Sequence, residues 1–316
     1  MATNLLIGIR FALYADLMLI VGLAAFALYA LKREERRIPS LLTPGRQAQI
    51  ALCWIGFCLS SAGMILLVGS MNGVAPAAVR PSMFASLVEE TDVGMAWLYR
   101  TIALLIALGA AYRLARNPGR GALAIAIAGS VALASLVWSG HAGATEGMAG
   151  TLHRISDAIH MIAGAAWLGG IAGFLLVLRR TDGEPDHGRL AIATRGLGQF
   201  ARVGTICVTA IAATGLVNSQ IIIGAANIGP ALGSPYARLL ALKLLLFAAM
   251  LALAAANRWR LTPALEAALI DSDADPAMAA AAMRRSLIAE LMAGAAILAL
   301  VAWLGTLDPF APGVTG

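Results

Sequence analysis

The stretch MIAGAAWLGGIAGFLLVL, residues 161–178, has no charged side chain and directly follows HRISDAIH, residues 153–160. An apolar run of this length predicts a membrane-spanning helix, because a hydrocarbon core of about 30 Å takes roughly 20 helical residues. Seven other segments have the same character. The predicted spans are 4–31, 47–70, 93–114, 121–140, 151–178, 196–223, 236–257 and 283–306.

The composition places the whole chain in the membrane class. Hydrophobic residues make up 60% of the 316 residues, charged residues only 13%, and the mean hydropathy is +0.81. The apolar runs are continuous and lack the alternation of lipid-facing barrel strands. We therefore expect an all-α, polytopic membrane bundle of eight transmembrane helices. It is expected to be a single integral membrane domain over residues 1–316, and not an enzyme.

The distribution of basic residues predicts the topology. Seventeen of the 23 Lys and Arg residues lie in or next to alternate connections, whereas the intervening connections carry only Arg80. Short loops rich in Lys and Arg stay in the cytoplasm, so both termini are predicted to be periplasmic. The net charge of +6 then reflects topology and contact with anionic membrane lipid, and no nucleic-acid partner is expected.

The ionisable groups of residues 153–160 share one helical face. Asp157 follows His153 by four residues and precedes His160 by three. The two histidines are about 10.5 Å apart along the axis, too far to hold one ion together. Asp157 could instead share an ion with either histidine. His141, in SGHAGATEGMAG, is the candidate third ligand, with Met148 close by.

A structural interpretation of these charges is an ion-pair lattice. Arg10, Arg100 and Lys243 would then neutralise Asp16 and Asp157 and hold the helices together. Imidazoles contribute little to such a lattice, because they are neutral near pH 7, but they are common transition-metal ligands. Thioethers favour Cu(I), and imidazole and carboxylate suit Cu(II). This mixture of side chains predicts a copper site, in either oxidation state.

Other polar and small residues in the spans predict helix packing. Asn218 is expected to hydrogen-bond a neighbouring helix, with lining a transport path as the alternative. Glu290 is expected to pair with Arg284 or Arg285, with a role as an exit-side ligand as the alternative. A stripe of small residues at four-residue spacing predicts a close helix–helix approach. Its members are Ala165, Gly169 and Gly173.

Five segments, in order along the chain, share the pattern of a known family. They are SGHA (139–142), LHRISDAIHMIAGAAWLGGIAGF (152–174), FARVGTICVTAIAATGLVNS (200–219), LGSPYARLLALKLLLFAAMLALAAANRWRLTPAL (232–265) and RRSLIAELMAGAAILALVAWLGTLDP (284–309). Together they resemble the CopD family of bacterial inner-membrane copper resistance proteins. The resemblance covers roughly residues 90–310, and the first two helices match in hydropathy only. It implies an eight-helix inner-membrane protein that handles copper, often beside a separate or fused periplasmic copper-binding protein, CopC. His141 and His160 fit the family pattern.

These observations favour a multi-pass transporter that carries copper across the bacterial inner membrane, with periplasm to cytoplasm as the favoured direction. A CopC-like partner would be a separate protein, because the chain has no fused domain of that kind. Two alternatives remain open. One is a b-type haem cytochrome, in which His141 and a histidine of the fifth span ligate haem. The other is a copper-relay scaffold or sensor that transports nothing.

Overall fold

The computed structural model describes residues 2–179, 187–227, 229, 233–271 and 275–307, and this part of the chain is helical without any strand. Eight helical stretches are long and apolar enough to cross a membrane, which confirms the predicted all-α class and span number. In chain order the helices are α1 (Ala2–Tyr29), α2 (Pro39–Met71), α3 (Pro81–Glu90), α4 (Asp92–Tyr112), α5 (Pro118–Ala134), α6 (His141–Ala144), α7 (Gly147–Val177), α8 (His187–Ile222), α9 (Pro235–Ala256), α10 (Thr262–Ile270) and α11 (Pro276–Leu304).

The helices extend further than the apolar runs that predicted them. Helix α2 begins at Pro39 instead of residue 47, and α8 begins at His187 instead of residue 196. Helix α9 continues through a π-helical turn, Asn257–Leu261, into α10, so much of the expected 258–282 connection is helical. Hydropathy marks only the segment that suits hydrocarbon, whereas the backbone can stay helical beyond it.

Helices α1 and α7 approach until their backbones touch. A side chain added at Gly169 would overlap the backbone of Gly22, and one added at Gly173 would overlap the ring of Phe26. Ala165, one turn earlier, presents its carbonyl oxygen to the same face of Gly22. The predicted small-residue stripe is therefore confirmed as the contact surface between these two helices.

Helix α7 joins the two hydrophobic cores of the bundle. One core is built mainly from α1, α2, α4 and α5, and the other from α8, α9, α10 and α11, and both include side chains of α7. Because consecutive spans run in opposite directions, the connections gather at two ends. We call the end formed by residues 135–150 and the end of α8 the histidine end. The opposite end, with residues 30–38, 113–117 and 257–261, is the basic end.

An ion pair at the basic end fastens α8 to the turn after α1. Both guanidinium Nη atoms of Arg195 donate to the Glu35 carboxylate, with Nη2 2.6 Å from Oε2, and Nη2 also donates to the Ala30 carbonyl at 2.9 Å. These hydrogen bonds lower the pKa of Glu35 below its ordinary value. The carboxylate is thus kept ionised at neutral pH.

Candidate functional site

Three of the predicted ligands occupy one side of α7 at the histidine end. His153 is buried, with 2% of its surface exposed, whereas Asp157 and His160 are partly buried. Each side chain has a hydrogen-bonding partner on another segment, which fixes where it points. His153, Asp157 and His160 therefore share one face of α7, as their spacing predicted. The residues packed around this face determine what it can bind.

His153 attaches α7 to the short segment that carries His141. Its Nδ1 lies 3.1 Å from Oγ1 of Thr145. Arg154 donates to the carbonyl oxygens of Ala142 and Thr145, at 3.4 and 3.3 Å. The backbone of His141 begins α6, next to these contacts, and its side chain lies outside the described residues. These bonds hold the backbone of α6 against the first turns of α7.

His160 points toward α8, where its Nδ1 lies 2.9 Å from Oγ1 of Thr214. That hydroxyl is 2.6 Å from the carbonyl oxygen of Ala210, which can only accept a hydrogen bond. A hydroxyl has one proton, so Thr214 donates to Ala210 and accepts from His160. The Ile211 carbonyl is a further acceptor beside the ring. This arrangement makes Nδ1 of His160 the donor and leaves the lone pair of Nε2 available to a ligand.

Asp157 connects α7 to α8 and to a cation on α9. Asn218 donates its Nδ2 to Oδ1 of Asp157 at 3.3 Å, which confirms the expected contact of Asn218 with a neighbouring helix. Lys243 of α9 interacts electrostatically with Asp157 and lies near His160. Asp157 is thus an acid with a nearby compensating charge, placed between the two histidines on α7.

The remaining predicted site residues are spread over the surface and the opposite end. Met148 lies on the first turn of α7, with 90% of its surface exposed. His187, the exposed first residue of α8, is at the basic end. The described part of the chain contains no group of three or more His, Cys, Asp or Glu side chains arranged to hold a metal. The five-residue site remains a prediction.

The expected lattice around Asp16 is not formed in the described residues. Arg100 donates to two hydroxyls, Ser60 at 2.8 Å and Ser135 at 3.1 Å, instead of to a carboxylate. Asp16 is buried beside Gly56 of α2, and neither of its oxygens has a hydrogen-bond partner there. Neutral hydroxyls satisfy the arginine, so the ion-pair interpretation is wrong for this pair.

The expected pairing of Glu290 with Arg284 or Arg285 is also wrong. Glu290 accepts hydrogen bonds from Trp167 and Asn257, each at 2.9 Å. Arg284 donates to a backbone carbonyl 3.3 Å away, and Arg285 to another at 3.4 Å. The partners come from helices distant in sequence, which explains why neighbouring charges were a poor guide.

The sequence reasoning also missed Thr145 and Thr214, the hydroxyl partners of the two histidines. A threonine inside an apolar helix has no distinctive pattern of its own. A usable signal existed for Thr214, because it lies in the predicted span that follows the one carrying His160. Residues of this kind orient a ligand without touching the metal.

The eight apolar helices, with three of the four histidines toward one end, define a multi-pass membrane protein. Family models match at both ends of the chain: Copper resistance protein D-like, N-terminal domain, over residues 1–151, and Copper resistance protein D over residues 194–304. The chain belongs to the copper resistance protein D family. The N-terminal match corrects the expectation that the first two helices agree in hydropathy only.

Two curated relatives span almost the whole chain. Copper resistance protein D of Pseudomonas syringae pv. tomato is 38% identical over 312 residues, which is 98% of each chain. Inner membrane protein YebZ of Escherichia coli strain K12 is 30% identical over 306 residues, 96% of this chain and 98% of its own length. No solved structure matches the chain. The protein is thus a copper-related, multi-pass protein of the bacterial inner membrane.

Proposed function

We propose that this protein is not an enzyme but a transporter that carries copper ions across the inner membrane, from periplasm to cytoplasm. The ion would be held at the histidine end by His141, His153, Asp157 and His160, with Met148 as an accessory ligand. Membership of the copper resistance protein D family supports copper as the cargo. The direction is the one that the resemblance to this family implies, with the histidine end placed in the periplasm.

The observation that carries this proposal is the hydrogen-bond contact of His160 with Thr214. Thr214 holds the ring so that Nδ1 donates and Nε2 has a lone pair. Histidines that bind metals ordinarily donate their other ring N–H to a fixed acceptor, which sets the tautomer and orientation. A histidine that merely braced two helices would not need Nε2 to be the unprotonated nitrogen.

The spacing along α7 suggests how an ion moves. His153 and Asp157 are one turn apart, and so are Asp157 and His160, about 6 and 4.5 Å along the axis. An ion shared by the first pair can pass to the second while Asp157 stays a ligand. Lys243 competes for the same carboxylate. This competition weakens copper binding and so favours release, as a transport site requires.

The exposed Met148 suggests how copper arrives. A thioether that is 90% exposed on the first turn of α7 is accessible to another protein in the periplasm. Thioethers bind Cu(I) and can exchange it between proteins. We therefore propose that a separate, CopC-like periplasmic protein delivers copper at this end of the bundle.

Copper uptake into proteoliposomes with a trapped copper-sensitive dye tests the proposal. The protein should load the vesicles, and His160→Ala should abolish uptake. His187→Ala is the matched control, because it removes a histidine at the opposite end, and it should transport normally. Equal uptake by His160→Ala, or bound copper without any uptake by the parent, would contradict transport through this site. A Soret band in the purified protein would indicate a haem cytochrome instead.

A further inference from the structure

Glu290 is a buried carboxylate in the half of the membrane that the proposed copper site leaves unused. It lies midway along α11 with 1% of its surface exposed. Trp167 of α7 donates Nε1–H to its Oε1, and Asn257, the first residue of the π-helical turn, donates Nδ2–H to its Oε2. Three spans therefore meet at one acid.

In the described part of the chain, no charge of opposite sign interacts with this acid. Among the described residues packed against it from α1, α7, α9 and α10, only Trp167 and Asn257 interact with it electrostatically. Its nearest basic neighbours on α11, Arg284 and Arg285, donate to backbone carbonyls elsewhere. An unpaired carboxylate in a membrane span is costly, so two neutral donors stabilise it only in part. A proton bound to Glu290 neutralises the charge and so removes this free-energy cost.

The contact with Asn257 accommodates both protonation states. The Oδ1 atom of this buried amide has no hydrogen-bond partner in the described part of the chain. When Glu290 is ionised, Nδ2–H donates to it, as the structure shows. When Glu290 is protonated, a half-turn of the amide brings Oδ1 to the same place, where it accepts the carboxyl proton. Trp167 can donate in both states.

The same arrangement is unsuitable for copper. Both carboxylate oxygens already face N–H groups, and the indole nitrogen of Trp167 has no lone pair available for a metal. Copper prefers thiolate, thioether and imidazole ligands, whereas the two side chains that hydrogen-bond to the carboxylate are an indole and an amide. The ligand that fits this site is a proton.

Helix α7 links Glu290 to the histidine end. Trp167 follows His160 by seven residues, so it lies on the same face about 10.5 Å further along the helix. Any shift of α7 when His160 binds an ion therefore moves the indole that donates to Glu290. Since that donation stabilises the ionised carboxylate, copper binding and protonation of Glu290 affect each other.

We propose that Glu290 is a proton-binding site that exchanges one proton with water at the basic end during each transport cycle. The carboxylic acid loses its proton to form the carboxylate, and it is reprotonated from the same water. The coupling rests on the transport function proposed above, whereas proton binding by Glu290 does not. It would make copper movement respond to the pH of the water at the basic end.

Infrared difference spectroscopy of the copper-free protein tests proton binding directly. A carbonyl stretch of a protonated carboxylic acid should appear and disappear as pH is varied. Glu290→Gln, which keeps the shape of the side chain, should lose this band. Glu266→Gln is the control, because Glu266 is an exposed acid of α10, and it should retain the band. A band unchanged in Glu290→Gln would overturn the proposal, whether or not the protein carries copper.

Proteoliposomes with pH-sensitive and copper-sensitive dyes test the coupling. The rate of copper entry into vesicles with the parent protein should depend on the pH at the basic end, and Glu290→Gln should lose this dependence while it still binds copper. Trp167→Phe, a second variant with an intact carboxylate, should shift the pH at which the infrared band disappears. A pH dependence of copper entry that persists in Glu290→Gln would refute the coupling. Absence of copper uptake by the parent would instead refute transport itself.

Discussion

Replacing Thr214 with valine tests the orientation of His160 without touching any proposed ligand. Valine keeps the branched shape and volume of threonine but removes the oxygen that lies 2.9 Å from Nδ1. The Nδ1–H group then has lost its hydroxyl acceptor in a partly buried position. The ring must either keep a poorly satisfied proton on Nδ1 or move that proton to Nε2, where it blocks the metal.

The expected loss of copper affinity in Thr214→Val follows from these two outcomes. An unsatisfied buried N–H costs about 1–3 kcal/mol, and each 1.4 kcal/mol or so is a factor of about ten in affinity. Loss of an orienting partner of a metal-bound histidine ordinarily weakens binding by about 10- to 100-fold. We therefore expect Thr214→Val to weaken copper binding by about this factor, with little effect on the fold.

Titration of the purified protein with copper against a competing chelator measures this effect. Thr214→Ser keeps the hydroxyl and should bind like the parent. Thr209→Val is the matched control, since this exposed threonine of α8 makes the same bond to the carbonyl four residues earlier, at 2.9 Å. Copper affinity that is unchanged in Thr214→Val, or reduced equally in Thr209→Val, would refute the reasoning.

Three further predictions concern the neighbouring structure. Gly169→Ala should destabilise the bundle by about 1–3 kcal/mol, because its new methyl group overlaps α1, whereas Gly164→Ala meets only ordinary contacts and should melt like the parent. Lys243→Gln should tighten copper binding in the chelator titration, since a competing cation is removed; weaker binding would contradict this. Arg195→Gln should lower stability by at most about 1 kcal/mol at neutral pH. Because the pKa of Glu35 is lowered, the part of this difference that comes from the ion pair should vanish as the pH falls through that pKa. A difference that does not shrink in acid would count against the ion pair.

The sequence was sufficient to predict the helical bundle, because each membrane span is marked by its own apolar run. A run such as residues 161–178 must be helical in a membrane whatever surrounds it, since its backbone groups have no other partners there. The packing stripe at Gly169 was equally local, because its spacing lies on one helix. Helix ends such as Pro39 were predicted less well, since polar residues can continue a helix beyond the hydrocarbon.

The candidate site was only partly predictable because half of it comes from other helices. The shared face of His153, Asp157 and His160 follows from helical spacing alone. The partners Thr214 and Lys243 depend on how α8 and α9 pack against α7, which no pattern along the chain encodes. For the same reason, the partners of Glu290 were predicted wrongly, because its hydrogen-bond donors are 123 and 33 residues away in the sequence.

X-ray absorption spectroscopy of the copper-loaded protein tests the central claim most directly, because it reports the atoms bound to the metal. The account predicts imidazole scattering from bound copper, reduced by one imidazole in His160→Ala and unchanged in His187→Ala. Copper without imidazole ligands, or an identical spectrum after His160 is removed, would contradict it.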